Sequence, residues 1–77
     1  MEDNQLLNHI KNLTEKEEEL WLKENITDGE VQQLQEIKLE LDQYWDLLRQ
    51  RRALRDADED PNKAHIRSIN TVENYKN

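Results

Sequence analysis

Arg49, Arg51, Arg52 and Arg55 fall within one short stretch that begins four residues after an aromatic pair, Tyr44-Trp45. Guanidinium groups at that density can hold phosphate, RNA or an acidic protein surface. An aromatic ring beside them could stack a base. Each feature also has a purely structural reading. Arg52 is spaced to pair with Asp56, Arg55 with Glu59 and Arg49 with Asp46. Arg51 would meet Glu2 or Asp3 of an earlier helix. Cations in the last turns also suit the negative end of a helix. Tyr44 and Trp45 lie at helical spacing beside Leu41 and Leu48, where large aromatics belong to a core or a dimer interface. For both features the structural reading is the stronger.

Other chemistry is sparse. There is no cysteine and no glycine-rich phosphate loop, and Ser68 is the only serine, without a base beside it. These absences point away from an enzyme. His9 and His65 are far apart, and neither helix carries the Glu-x-x-His spacing with which helix pairs hold two metals. No metal or cofactor is expected. Glu15, Glu17, Glu18 and Glu19 read as a solvated face.

The charge is strongly segregated. Residues 1–30 carry nine acids and three lysines, residues 49–55 carry four arginines and no acid, and the net charge is -7. That field opposes general affinity for nucleic acid or anionic lipid. No apolar run is long enough to cross a membrane, and Met1-Glu2-Asp3-Asn4 is acidic where a secretory signal would be basic. A cytoplasmic protein is expected.

The elements that must position these residues are helical. A single Gly, a single Pro and an abundance of Leu, Glu, Lys, Gln and Arg argue for long helices. Leu6, Ile10, Leu13, Glu17 and Leu20 form a seam on a first helix over residues 3 to about 24, widened by Leu7 and Trp21. Glu17 is the polar member of that seam. Thr27-Asp28-Gly29-Glu30 fits a capping box, with Ile26 and Val31 in the places of a hydrophobic staple. A second helix therefore starts at Asp28 and runs to about Ala57, with Leu34, Ile37, Leu41, Tyr44 and Leu48 as its seam.

The turn at 25–29 is short, so the helices run antiparallel and pair positions whose numbers sum to about 54. Leu20 meets Leu34, Leu13 meets Leu41, Ile10 meets Tyr44, and Leu6 meets Leu48. One turn further, Glu2 and Asp3 meet Arg51 and Arg52. Asp58-Glu59-Asp60-Pro61 stops the second helix, and Asp60 can cap a new turn that begins at Pro61. Residues 1–60 thus form a helical hairpin and residues 61–77 an arm, with short turns at 61–65 and at 71–75, the latter capped by Asn70. Ile66, Ile69, Val72 and Tyr75 give the arm an apolar stripe with which to dock.

The fold class is all-α. A two-helix hairpin buries one seam, and Leu7, Trp21, Leu39, Leu47 and Leu54 fall partly outside it. Exposing that many large side chains is unfavourable. A homodimer closing into a four-helix bundle would cover them. Leu7, Trp21, Trp45, Leu47 and Leu54 are the candidate interface, and Arg49, Arg51, Arg52 and Arg55 the candidate partner or phosphate contacts.

The block Leu41-Asp42-Gln43-x-Trp45-Asp46-Leu47-Leu48-Arg49-x-Arg51-Arg52-Ala53-x-Arg55, followed by Asp60-Pro61, Arg67 and Val72-Glu73-x-Tyr75, resembles a short bacterial family. That family is catalogued as a domain of unknown function, number 2630. The resemblance implies small size and bacterial origin and carries no assigned activity. Tyr44 stands where a Cys is common in the family, and Ser68 where a Pro is common. Glu18-Glu19-Leu20 stands where a His often replaces one of the acids. The reading that follows is a non-enzymatic interaction or structural module. The alternative is a nucleic-acid-binding accessory protein acting through the arginines.

Overall fold

The computed structural model describes residues 2–69 and Val72. Two helices, α1 (Asp3–Trp21) and α2 (Asp28–Asp56), form an antiparallel hairpin, and a 3₁₀ turn (Pro61–Lys63) opens the arm. No strand occurs among the described residues.

The second helix starts where its capping box places it. Thr27 Oγ1 accepts from the Glu30 N–H at 3.2 Å, and the Glu30 carboxylate accepts from the Thr27 N–H at 3.1 Å. Both orphan donors are satisfied before α2 has completed a turn. The Glu30 carboxyl is held below its usual range, first by the Lys23 ammonium across the turn and then by the Thr27 N–H.

The first helix is shorter than its periodicity suggests and ends at Trp21 rather than near Glu24. Its last turn carries Glu18 and Glu19 and no cation, so acids crowd the negative end of the helix dipole. The next residues must also become extended to present Thr27 as a cap.

The expected register is observed. Leu6, Ile10, Leu47 and Leu48 form one buried cluster, with Leu41, Tyr44 and Ala64 packed against it. Leu20, Leu34 and Ile37 form the other, with Leu13 and Leu41 beside it. His9 stacks on Tyr44 with ring centroids 5.5 Å apart.

Leu47 corrects the sequence reading. It is buried within a single chain and does not await a partner. The arm folds back along α2 and brings Ala64 onto the Leu47 cluster, so α2 has neighbours on two sides. This is why its apolar residues do not form one stripe. Trp45, roughly 200° around the helix from Leu47, lies off the arm-facing side and is 42% exposed, so it is not a core residue. Leu54 is half-buried, and Leu7 and Leu39 are exposed.

The arm follows expectation in part. Asp60 Oδ1 accepts from the Asn62 N–H at 3.0 Å, and Pro61 takes the first helical position. Val72 is fully buried, whereas Ile66 is exposed. Of the expected turn at 71–75 only Val72 is among the described residues; its cap Asn70 and Tyr75 lie outside them.

The end of α2 is a Schellman motif. The Asp58 N–H bonds to the Arg55 carbonyl at 3.0 Å and the Glu59 N–H to the Leu54 carbonyl at 2.7 Å. This requires a left-handed residue, and Asp58 takes it with φ 59°. A Cβ is disfavoured in that region. Asp58→Gly is therefore expected to stabilise the protein by up to about 1 kcal/mol after the added unfolded-state entropy of glycine is counted. Thermal melts of the two proteins followed by circular dichroism check it.

Candidate functional site

The arginine cluster does not form one patch. Helical geometry sends neighbouring arginines to different sides of α2, and the tertiary contacts treat each differently. Arg51 turns inward and its side chain is 7% exposed. Its Nε donates to Asp3 Oδ1 at 2.6 Å, and its Nη1 donates to the Pro61 carbonyl at 3.3 Å and to Asn62 Oδ1 at 3.2 Å. One guanidinium thus joins the start of α1, the body of α2 and the start of the arm.

Arg55 reaches the other oxygen of the same carboxylate, with Nη1 2.5 Å from Asp3 Oδ2. The expected Arg55–Glu59 pair is replaced by this contact, and Glu59 lies 3.8 Å from Lys63. Arg51 first, and Arg55 with it, hold the Asp3 carboxyl below the usual carboxylate range. These groups line a polar cleft of about 280 Å³ together with Glu2, Asn4, Pro61 and Asn62. Within it two acids oppose two arginines, which leaves little net charge for a ligand.

Asp46 is the second buried charge. It does not pair with Arg49 as its spacing suggests. Its Oδ2 accepts from Gln50 Nε2 at 2.8 Å and lies 3.5 Å from Arg67 Nε of the arm. Arg67 comes from a different element, whose approach brings its guanidinium to the buried face of Asp46. Gln50 also bonds the arm backbone, donating to the His65 carbonyl at 2.9 Å and accepting from its N–H at 3.4 Å. Gln43 Nε2 donates to the Arg67 carbonyl at 3.1 Å.

Gln43, Asp46 and Gln50 are therefore the residues that dock the arm, a role sequence reasoning missed. Their signal was present: the three share one side of α2 at helical spacing, a polar stripe beside the apolar seam. Arg49 and Arg52 form no ion pair among the described residues, and the expected Arg52–Asp56 pair is not made. Arg49 lies beside a shallow groove lined by Asp46, Gln50, Ala53 and Arg67.

The apolar candidates divide as well. Leu47 is core, whereas Leu7, Trp21 and Trp45 reach solvent, Trp21 most of all at 70%. Around Trp21 the turn end of the hairpin also exposes Leu22, Ile26 and Val31. Among the described residues, no three His, Asp or Glu side chains gather as a metal site requires. Nor, among the described residues, is any helix long and apolar enough to cross a membrane.

Over residues 2–77 the chain matches the family described as "Protein of unknown function (DUF2630)". It belongs to that family. Two relatives are the uncharacterized proteins Mb0922c of Mycobacterium bovis (strain ATCC BAA-935 / AF2122/97) and Rv0898c of Mycobacterium tuberculosis (strain ATCC 25618 / H37Rv). Each is 46% identical over 79 residues, covering 95% of this chain and 88% of the relative. No solved structure matches.

Asp3 and Arg51 are expected to couple measurably. A double-mutant cycle with Asp3→Asn and Arg51→Met should give about 1–2 kcal/mol, above the 0.2–1 typical of exposed pairs. Because the Asp3 carboxyl is more acidic folded than unfolded, its contribution is full above the ordinary carboxylate pKa. That contribution fades as pH falls through the depressed folded value. The stability gap between the parent and Asp3→Asn should therefore close in acid, as urea denaturation at stepped pH would show.

Proposed function

We propose that this protein is a non-enzymatic helical interaction module that works as a homodimer in the cytoplasm. The observation that carries the reading is the division of its side chains. Half of the arginine cluster, Arg51 and Arg55, is engaged within the chain, while large apolar groups stand in water. Arg51 and Arg55 share Asp3, and Arg67 lies against Asp46. Trp21 and Leu22 are 70% and 83% exposed, with Ile26 and Val31 close to them in sequence.

Size supports the same reading. The described residues bury eight apolar side chains, a small core for a chain of 77 residues. There is no disulfide to reinforce it. Self-association is one of the few remaining ways to bury more apolar surface.

The alternative, nucleic-acid binding through the arginine cluster, has weaker support. Two of the four arginines are held by Asp3, and the net charge of -7 repels a phosphate backbone.

Sedimentation equilibrium at micromolar concentration is expected to give about twice the 9.3 kDa chain mass. Trp21→Ser should shift the protein to monomer while its helicity stays unchanged, since the side chain adds little to the fold of one chain. A parent protein that sediments as monomer would overturn the homodimer. Salt-sensitive RNA or DNA binding, lost on replacing Arg49 and Arg52 by Ala, would favour the alternative.

A further inference from the structure

We propose that a second copy of this chain docks on the face carrying Trp21, Val31 and Lys38, related to the first by a two-fold axis parallel to the helices. This rests on the reading that the protein self-associates, and adds the surface and the geometry.

Leu7, Thr14 and Trp21 recur every seven residues on α1, as do Val31, Lys38 and Trp45 on α2. Seven residues make roughly two turns, so each set is one stripe. At the turn end the two stripes flank a single groove of about 260 Å³, whose lining includes Glu17, Trp21, Val31 and Lys38. Its long walls come from different helices, with an acid on one and a base on the other. Neither Glu17 nor Lys38 has an ion pair among the described residues.

The hairpin register sets the heights. Asp3 meets Arg51, and Leu6 packs in one cluster with Leu48, so positions whose numbers sum to about 54 stand level. Leu7 then stands within about 3 Å in height of Trp45, Trp21 of Val31, and Glu17 of Lys38. A two-fold axis along the helices preserves height and exchanges the stripes, laying α1 of one copy against α2 of the other. Leu7 meets Trp45 of the second copy, Trp21 meets its Val31, and Glu17 meets its Lys38. Every exposed apolar member of the stripes finds an apolar neighbour, and the acid finds the base.

A two-fold axis across the helices would also pair apolar with apolar. It would, however, set Lys38 near Lys38 of the second copy, and opposed like charges disfavour it. The charge arrangement selects the first geometry, an isologous four-helix bundle.

Charge exchange on the full-length chain tests this. Glu17→Lys and Lys38→Glu, measured separately by sedimentation equilibrium at low ionic strength, should each weaken the homodimer by about tenfold or more. Circular dichroism reports whether each variant keeps its helices. An equimolar mixture of the two variants should recover the parent's affinity, because each acid then opposes a base across the interface. The doubly substituted chain should recover it too. Single variants that dimerise like the parent would overturn this geometry while leaving self-association intact. So would single variants that weaken the dimer with no recovery in the mixture or the double variant. A parent chain that is monomeric throughout would overturn both the geometry and the self-association on which it rests.

Discussion

Arg51 is a permanent cation held almost wholly out of water, and such a group is tolerated only when its donors are satisfied. Here the satisfying groups come from two places far apart in sequence: the Asp3 carboxylate at the start of α1, and the Pro61 carbonyl with the Asn62 side chain at the start of the arm. Removing either segment leaves part of a buried charge uncompensated. The relative placement of α1, α2 and the arm is therefore tied to one guanidinium. Its planar fork suits this role, because its donors point in fixed and divergent directions.

Asp46 repeats the arrangement with the opposite sign. A buried carboxylate on α2 faces Gln50 and the Arg67 guanidinium of the arm. Together the two sites hold the arm along α2, with Gln43 extending the contact one turn further. Between them, Leu47, Leu48 and Ala64 supply the apolar contact. The polar groups set where the arm lies, and the apolar groups provide the burial that stabilises it. Fixing the arm on one side of α2 leaves another side, with Val31, Lys38 and Trp45, open. The exposed face is in this sense a consequence of how the buried charges are matched.

The arginine cluster shows how proximity in sequence differs from proximity in space. Successive helical residues turn by about 100°, so four arginines within two turns are distributed around the axis. Arg51 and Arg55, four apart, share a side and share Asp3, whereas Arg49 and Arg52 face elsewhere. A dense run of one charge on a helix is thus compatible with several small, separate roles. The family carries no assigned activity, and the reading proposed for this chain rests on its own side chains.

Much of the hairpin was legible in the residues alone. The Thr27–Glu30 capping box, the seam of Leu and Ile, and the pairing of Asp3 with Arg51 follow from local rules and from one short turn. Local hydrogen bonding and helical periodicity act over a few residues, and an antiparallel turn extends them into a register. What the chain could not reveal by itself was the path of the arm. That path depends on contacts between Gln43, Asp46 and Gln50 and backbone or side-chain groups 15 to 24 residues away. It decided that Leu47 is buried and Trp45 exposed, although both are large and apolar and stand two residues apart. Periodicity identifies the side of a helix on which a residue lies, and only the packed structure decides which sides are covered.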